Sequence, residues 1–432
     1  MKTTFFTQCR SILLLWLTQA LSSLGSAMTN FALVVWSYGQ YGSALTTALL
    51  TVCAYAPYVL LSIFAGALSD RWDKKRTMLV CDSLAALCTL WVLGLLVAGE
   101  LKIWHLYLNN ALNGLMNTVQ QPASEVAVTL LTPREHYQRM GGLQAFSRSL
   151  VSLLTPAFAT ALYTLMGLKA VIFFDLGTFA VAAVCLLCFI PFPPTAEEEK
   201  APEPLFAAAR EGLRYLRENR GILDLILFLA VINLTASMFN AALPALALTR
   251  PWGGEYALGL VQSVCGMAML AGSLAASLLP APKSRVRVIC NCLLLAMSTE
   301  NFCLALGKNL PVWCVGAALG WVGIPVMNAN LDVLVRDRVP VELQGRVYAA
   351  RNTLQFFTIP VGYLLGGLLV DQVFEPLAAR LGPESLWALL FGTGKGSGAA
   401  GLFLVLGFLG VLTCLIFRRD RHIWGLEDKF TS

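Results

Sequence analysis

At 432 residues the chain is long enough for two or three soluble domains, but it is 57% hydrophobic and 13% charged, with a mean hydropathy of +0.68. Those values exclude a soluble protein. The net charge of +6 belongs to loops between apolar runs and is no nucleic-acid signal.

About 20 apolar residues cross a bilayer, and twelve runs reach or approach that length. The runs do not alternate apolar and polar residues, so they are helices and not barrel strands. The expected fold is an all-α polytopic membrane protein. The first run is Ser11–Ser37. Lys2 and Arg10 precede it, but no cleavage pattern follows, so it reads as a retained helix and not a signal peptide. Next come Leu45–Leu68, Thr77–Ala98, Ile103–Leu131, Gly141–Leu165 and Ala170–Ile190. Residues 1–190 thus form a first six-helix bundle. Residues 191–220 carry Pro193, Pro194, Pro202, Pro204 and an acidic run, and form the one long polar stretch. Within it, Leu205, Ala209, Leu213 and Leu216 have helical spacing and predict an amphipathic surface helix. The second bundle, residues 221–417, holds Ile222–Thr249, Tyr256–Leu279, Val288–Leu306, Val312–Val335, Val347–Val370 and Gly398–Phe417. Residues 418–432 form a polar tail.

Charge fixes the orientation. With both termini cytoplasmic, 23 of the 31 Lys and Arg fall in inner loops and ends and six in outer loops; Arg148 and Arg351 lie within spans. A repeat supports two halves. Glu125, Pro133, Glu135 and Arg139 recur as Asp332, Pro340, Glu342 and Arg346, each 207 residues later.

The turn between the second and third runs reads Gly66-Ala-Leu-Ser-Asp70-Arg71-Trp-Asp73-Lys74-Lys75-Arg76. It resembles the loop between helices two and three of major facilitator superfamily transporters, Gly-x-Leu-x-Asp-Arg-x-Gly-Arg-Lys. Gly66, Leu68, Asp70, Arg71, Lys74 and Lys75 match, and Asp73 replaces the Gly. This form is similar to the drug-exporting branch that contains macrolide efflux proteins and the enterobactin exporter. The resemblance implies two six-helix bundles that alternate access to a central cavity. It implies that Asp70 meets the start of the eleventh helix near Gly345–Val347, and that Lys74 pairs with Glu125. Gly66, Asp70, Arg71, Lys74, Lys75, Glu125, Arg139, Asp332 and Arg346 are accordingly the expected cytoplasmic latch.

Ionisable groups inside spans are expensive and point to function. Asp175 and Glu300, with Arg148, are the proton-coupling candidates. The branch often has a coupling Arg in helix four; the matching position here is Asn113. Run five keeps Pro156 but not the branch's glycines. The cavity candidates are Gln19, Asn30, Tyr55, Asn113, Asn117, Asn233, Asn240, Trp321, Asn328 and Gln355. Weakly polar, aromatic and Met-containing walls suit a large amphiphile.

The twelve cysteines read as small apolar packers, so neither a metal nor a cofactor is expected. There is no Gly-x-x-x-x-Gly-Lys-(Ser/Thr) loop, no His-Glu-x-x-His and no Gly-x-Ser-x-Gly, so neither ATP-driven nor enzymatic chemistry is expected. The reading is a bacterial inner-membrane exporter of macrolide-like amphiphiles, a monomer in the lipid bilayer, exchanging its substrate for protons. A dedicated exporter of a siderophore or other self-made product is the alternative. A non-transporting sensor or scramblase is the remote one.

Overall fold

The computed structural model describes residues 10–71, 73–133, 137–190, 213–280, 282–340, 347, 351, 354–355 and 357–427. The chain divides into two compact units, residues 1–40 with 49–200 and residues 41–48 with 201–432. Ten of its helices are long and apolar enough to cross a membrane, counted among the described residues.

The first unit is built on α1 (Arg10–Tyr41), α2 (Ala44–Arg71), α3 (Lys74–Ala98), α4 (Ile103–Leu131) and α5 (Tyr137–Cys188). Asp73 starts α3 as an N-cap, accepting from the Arg76 amide at 2.7 Å. Gly99 ends it in the left-handed region with φ 75°, where a Cβ would be strained. Two predicted runs fall within the 52 residues of α5, which turns at Gly167, φ 78° and ψ 178°. Only glycine adopts those angles readily, so one residue serves as the loop between two arms. Helix α4 is absent from the ten spans. Asn109, Asn110, Asn113, Asn117, Gln120 and Gln121 make it too polar to face lipid, so it must turn inward.

Leu24, Met28, Leu33, Leu50, Val92, Leu106, Val171 and Ile172 form one core of this unit. Ile12, Leu15, Met78, Ala127, Met140 and Leu186 form another nearer the chain start. Helices approach closely where glycine lacks a side chain. A Cβ on Gly114 of α4 would overlap the Ala54 carbonyl of α2, and one on Gly25 of α1 would meet Asp175 and Thr178 of α5.

The second unit holds α6 (Arg220–Ala247), α7 (Glu255–Leu278), α8 (Arg285–Leu306), α9 (Leu310–Val322) and α10 (Ile324–Arg338). It continues through α11 (Thr358–Leu368), a π-turn Leu369–Phe374, α12 (Glu375–Leu381), α13 (Leu386–Phe391), α14 (Ser397–Phe417) and α15 (Arg421–Trp424). The predicted tenth run is broken at Gly323 between α9 and α10. Pro325 has no N–H for the helix ladder, and this is the physical reason for the break. Gly362 and Gly366 of α11 bring its backbone onto Leu234, Ser237 and Met238 of α6. The core runs through Ile222, Phe228, Ile289, Leu293, Leu331, Leu334, Val347 and Cys414.

Residues 191–212 of the predicted linker lie outside the described residues. Residues 213–218 are helical, with Leu216 fully buried and Leu213 exposed. The Tyr215 hydroxyl donates to the Arg338 carbonyl at 2.8 Å, and burial raises its pKa. This end of the predicted surface helix is therefore anchored in the second unit.

Residues 41–48 group with the second unit because Asp371 holds them. Its carboxylate accepts from the Ser43 hydroxyl at 2.6 Å and from the Ala44 and Leu45 amides at 3.1 and 2.9 Å. Those are orphan donors at the start of α2, where a negative charge also meets the positive end of the helix dipole. Asp371 sits in the π-turn, whose extra residue re-aims the side chains that follow it.

Candidate functional site

The first unit contains two adjoining cavities. The larger, of about 680 Å³, is walled by α1, α3, α4 and α5. The smaller, of about 90 Å³, reaches the second arm of α5. Gln19, Asn30, Asn117 and Arg148 line the larger cavity, and Asn30, Asn113, Asn117 and Asp175 line the smaller.

Asp82 of α3 is the acid among the six residues that line both. Its Oδ1 accepts from Gln120 Nε2 at 2.6 Å and its Oδ2 from Gln19 Nε2 at 3.3 Å. Three helices thus converge on one carboxylate. Sequence reading did not single out Asp82, although it stands alone within the apolar run Thr77–Ala98. The rule that picked Asp175, an acid inside a span, picks Asp82 equally.

Asp175 is 5% exposed and accepts from Ser26 Oγ at 3.0 Å. Gly25, next to that serine, lets the α5 backbone come near enough for the bond. Among the described residues no Lys or Arg lines the smaller cavity. Arg148 faces only the larger one, and its side chain is exposed. Two carboxylates therefore sit in a polar hollow without a cation beside them in the smaller chamber. Such a pair is costly unless a proton or another cation joins it.

Around the larger cavity most side chains are amides or hydroxyls; Trp16 and Met140 are its large apolar exceptions with Leu15 and Val128. The Trp16 indole N–H donates to the Leu143 carbonyl at 3.1 Å, tying α1 to α5. Tyr55 lines neither cavity and is 41% exposed.

In the second unit Glu300 of α8 is 6% exposed and accepts from Trp321 Nε1 at 2.7 Å. Gly320 makes room for it, since a Cβ there would lie 2.7 Å from Glu300 Oε2. Asn233 and Asn240 are half-buried on α6, and Asn328 is exposed on α10. Gln355 is 6% exposed and accepts from Arg351 Nε at 3.4 Å.

Of the expected latch, the side chains of Gly66, Asp70, Arg71, Glu125 and Arg139 and the whole of Arg346 lie outside the described residues. Lys74 is buried. Lys75 Nζ donates to the Leu187 and Ile190 carbonyls at 3.1 and 2.9 Å, at the end of α5 where the dipole favours a cation. Asp332 pairs with Arg351 at 3.1 Å.

Asp224, Asp420 and His422 alone, among the described residues, bring metal-ligand atoms within 4.8 Å of one another. The His422 side chain is 65% exposed, and Asp420 already caps α15 by accepting from the His422 amide at 2.8 Å. The group is a helix cap with a hydrogen bond between His422 Nδ1 and Asp224 Oδ2 at 3.1 Å.

Comparison with known proteins agrees with this architecture. The family model for the Major Facilitator Superfamily matches residues 15–362. Macrolide efflux protein A of Streptococcus pyogenes is 24% identical over 362 residues, covering 83% of this chain and 89% of that protein. The protein of the same name from Enterococcus faecalis is 22% identical over 323 residues, 74% of this chain and 99% of its own. Among solved structures, the nucleoside transporter NupG superposes with a TM-score of 0.71 at 11% identity, covering 94% of this chain and 99% of that one. A bacterial homologue of the iron transporter ferroportin gives 0.70 at 14% identity, over 99% and 100%. At such identities the structures show the fold alone.

Proposed function

Because the chain belongs to the Major Facilitator Superfamily, we propose that it is a secondary active exporter of macrolide-like amphiphiles across the bacterial inner membrane. It is a multi-pass membrane transporter and not an enzyme. In this reading twelve spans form two six-helix bundles with both termini in the cytoplasm. The bundles alternate access to the substrate, the charged turn from Gly66 to Arg76 latches one pose, and proton antiport drives the cycle.

One observation carries the coupling: Asp82 and Asp175 line polar cavities that adjoin, and Asp82 lines both. A carboxylate there is neutral when it holds a proton and charged when it releases one. Only the neutral form is cheap to enclose away from water. Proton and substrate therefore alternate on the same group. Asp82, bonded from α1 and α4, reports its state to both helices. The relatives named as macrolide efflux proteins supply the substrate class.

The test is macrolide susceptibility and efflux in a sensitive bacterium with and without the gene, each with and without a protonophore. The expected result is a several-fold gain in tolerance, abolished when the proton gradient collapses. Efflux that survives collapse of the gradient removes the antiport claim. No gain with any macrolide removes the substrate claim.

A further inference from the structure

The shape of the hollow says more about the substrate than its family does. At about 680 Å³ the larger cavity has the size of a drug-binding pocket. The smaller, at about 90 Å³, is too small for a whole drug-sized compound. Ser22, Ser26, Asn30, Asp82, Asn117 and Gln120 line both, so the small chamber is the blind end of the large one.

The blind end is built for a cation with hydrogen-bond donors. Two carboxylates line it and no described Lys or Arg does. Asn109, 3% exposed, also lines it, and its Oδ1 has no hydrogen-bond partner. Its own Nδ2 is turned to Asn110 Oδ1 at 3.5 Å. A positively charged donor matches both the idle acceptor and the two acids.

The outer part is built for hydroxyls. Gln19, Gln121, Gln144, Ser23, Ser124 and Ser147 present amides and hydroxyls to it. A hydrocarbon-rich cation would displace water from this polar wall without replacing its hydrogen bonds, which selects against it. A ring bearing several hydroxyls pairs with them.

We propose that this hollow holds the protonated amino-sugar part of the exported compound, with the ammonium in the blind end near Asp175, Asp82 and Asn109 and the ring hydroxyls on the outer wall. The proposal rests on the export reading and names the portion of the substrate that the first unit recognises. The less polar remainder of the compound then contacts Trp16, Leu15 and Met140 at the same cavity.

The experiment is equilibrium binding to the full-length chain purified in detergent, at pH 7. The probes are erythromycin, whose sugar carries a protonated dimethylamino group, and the same molecule with that nitrogen demethylated and acetylated to a neutral amide. The expected dissociation constant is at least about tenfold lower for the amine, as befits a charge-assisted bond. Asp175→Asn should shrink that ratio below about threefold. Asn109→Leu should weaken the amine several-fold and leave the amide alone.

Equal binding of the two probes overturns the proposal and leaves the blind end holding water only. So does an Asp175→Asn chain that elutes as a single species and keeps the ratio. If Asp175→Asn does not fold, the two-probe comparison on the unaltered chain and the Asn109→Leu result decide. A chain that discriminates the probes but gives cells no protection refutes export alone. One that protects cells without discriminating refutes this inference alone.

Discussion

Replacing Asp82 separates its structural part from its charge. In Asp82→Ala the amides of Gln120 and Gln19, now 2.6 and 3.3 Å from the carboxylate, lose their acceptor. An unpaired buried donor costs about 1–3 kcal/mol. Both glutamines line the larger cavity and can take water, so the lower end applies and the pair costs about 2 kcal/mol. For a unit of this size that is a fall of roughly 4–8 °C in the thermal midpoint. Asp82→Asn keeps the shape. Its one remaining oxygen accepts from Gln120, and Gln19 turns its amide to offer an oxygen to the new NH₂ group. The cost should stay under about 1 kcal/mol. Asp82→Asn can neither bind nor release a proton, so it should lose export as completely as Asp82→Ala. The assay is the loss of the monodisperse peak after heating in detergent, at one fixed heating time because unfolding is irreversible. Macrolide tolerance is measured beside it. An alanine variant as stable as the asparagine variant refutes the three-helix junction. An asparagine variant that still exports refutes the proton role.

Two further substitutions test other parts of the packing. Asp371→Ala strips the start of α2 of its acceptor and should cost about 1–2 kcal/mol, a fall of roughly 2–8 °C in the same heating assay, with Asp371→Asn losing less. An unchanged midpoint for alanine would mean that Ser43, which also accepts from the Thr46 amide at 3.0 Å, caps the helix unaided. Gly114→Ala drives a methyl into the Ala54 carbonyl and should destabilise by about 1–3 kcal/mol, whereas Gly94→Ala meets nothing within 4 Å and should stabilise its helix by up to about 1 kcal/mol. The same sign for both would show that helix propensity, and not close approach, governs these positions.

Membrane class and helical character could be read from the sequence because they follow from local chemistry. A run of about 20 uncharged residues has no other low-energy placement than a helix in lipid. Helix α4 carried its own warning, since six amides in thirteen residues cannot face lipid. Asp175, Arg148, Gln19, Asn30, Asn113 and Asn117 were all chosen as polar residues in apolar company, and the structure gathers them around one pair of cavities. Tyr55 was chosen by the same rule and lies elsewhere, because polarity tells that a side chain seeks a partner but not which one.

What the chain determined alone was that it is a polytopic helical membrane protein, and that Asp175 and Glu300 fall inside apolar runs, where an acid needs donors. Only tertiary structure decided which donors: Ser26 for one and Trp321 for the other. It also decided that Asp82 lines two cavities and that Asp371 reaches back 326 to 328 positions to hold the start of α2. Hydropathy is a property of each residue and its near neighbours. A hydrogen bond between helices depends on their rotation and crossing, and these are set by packing contacts between distant parts of the chain.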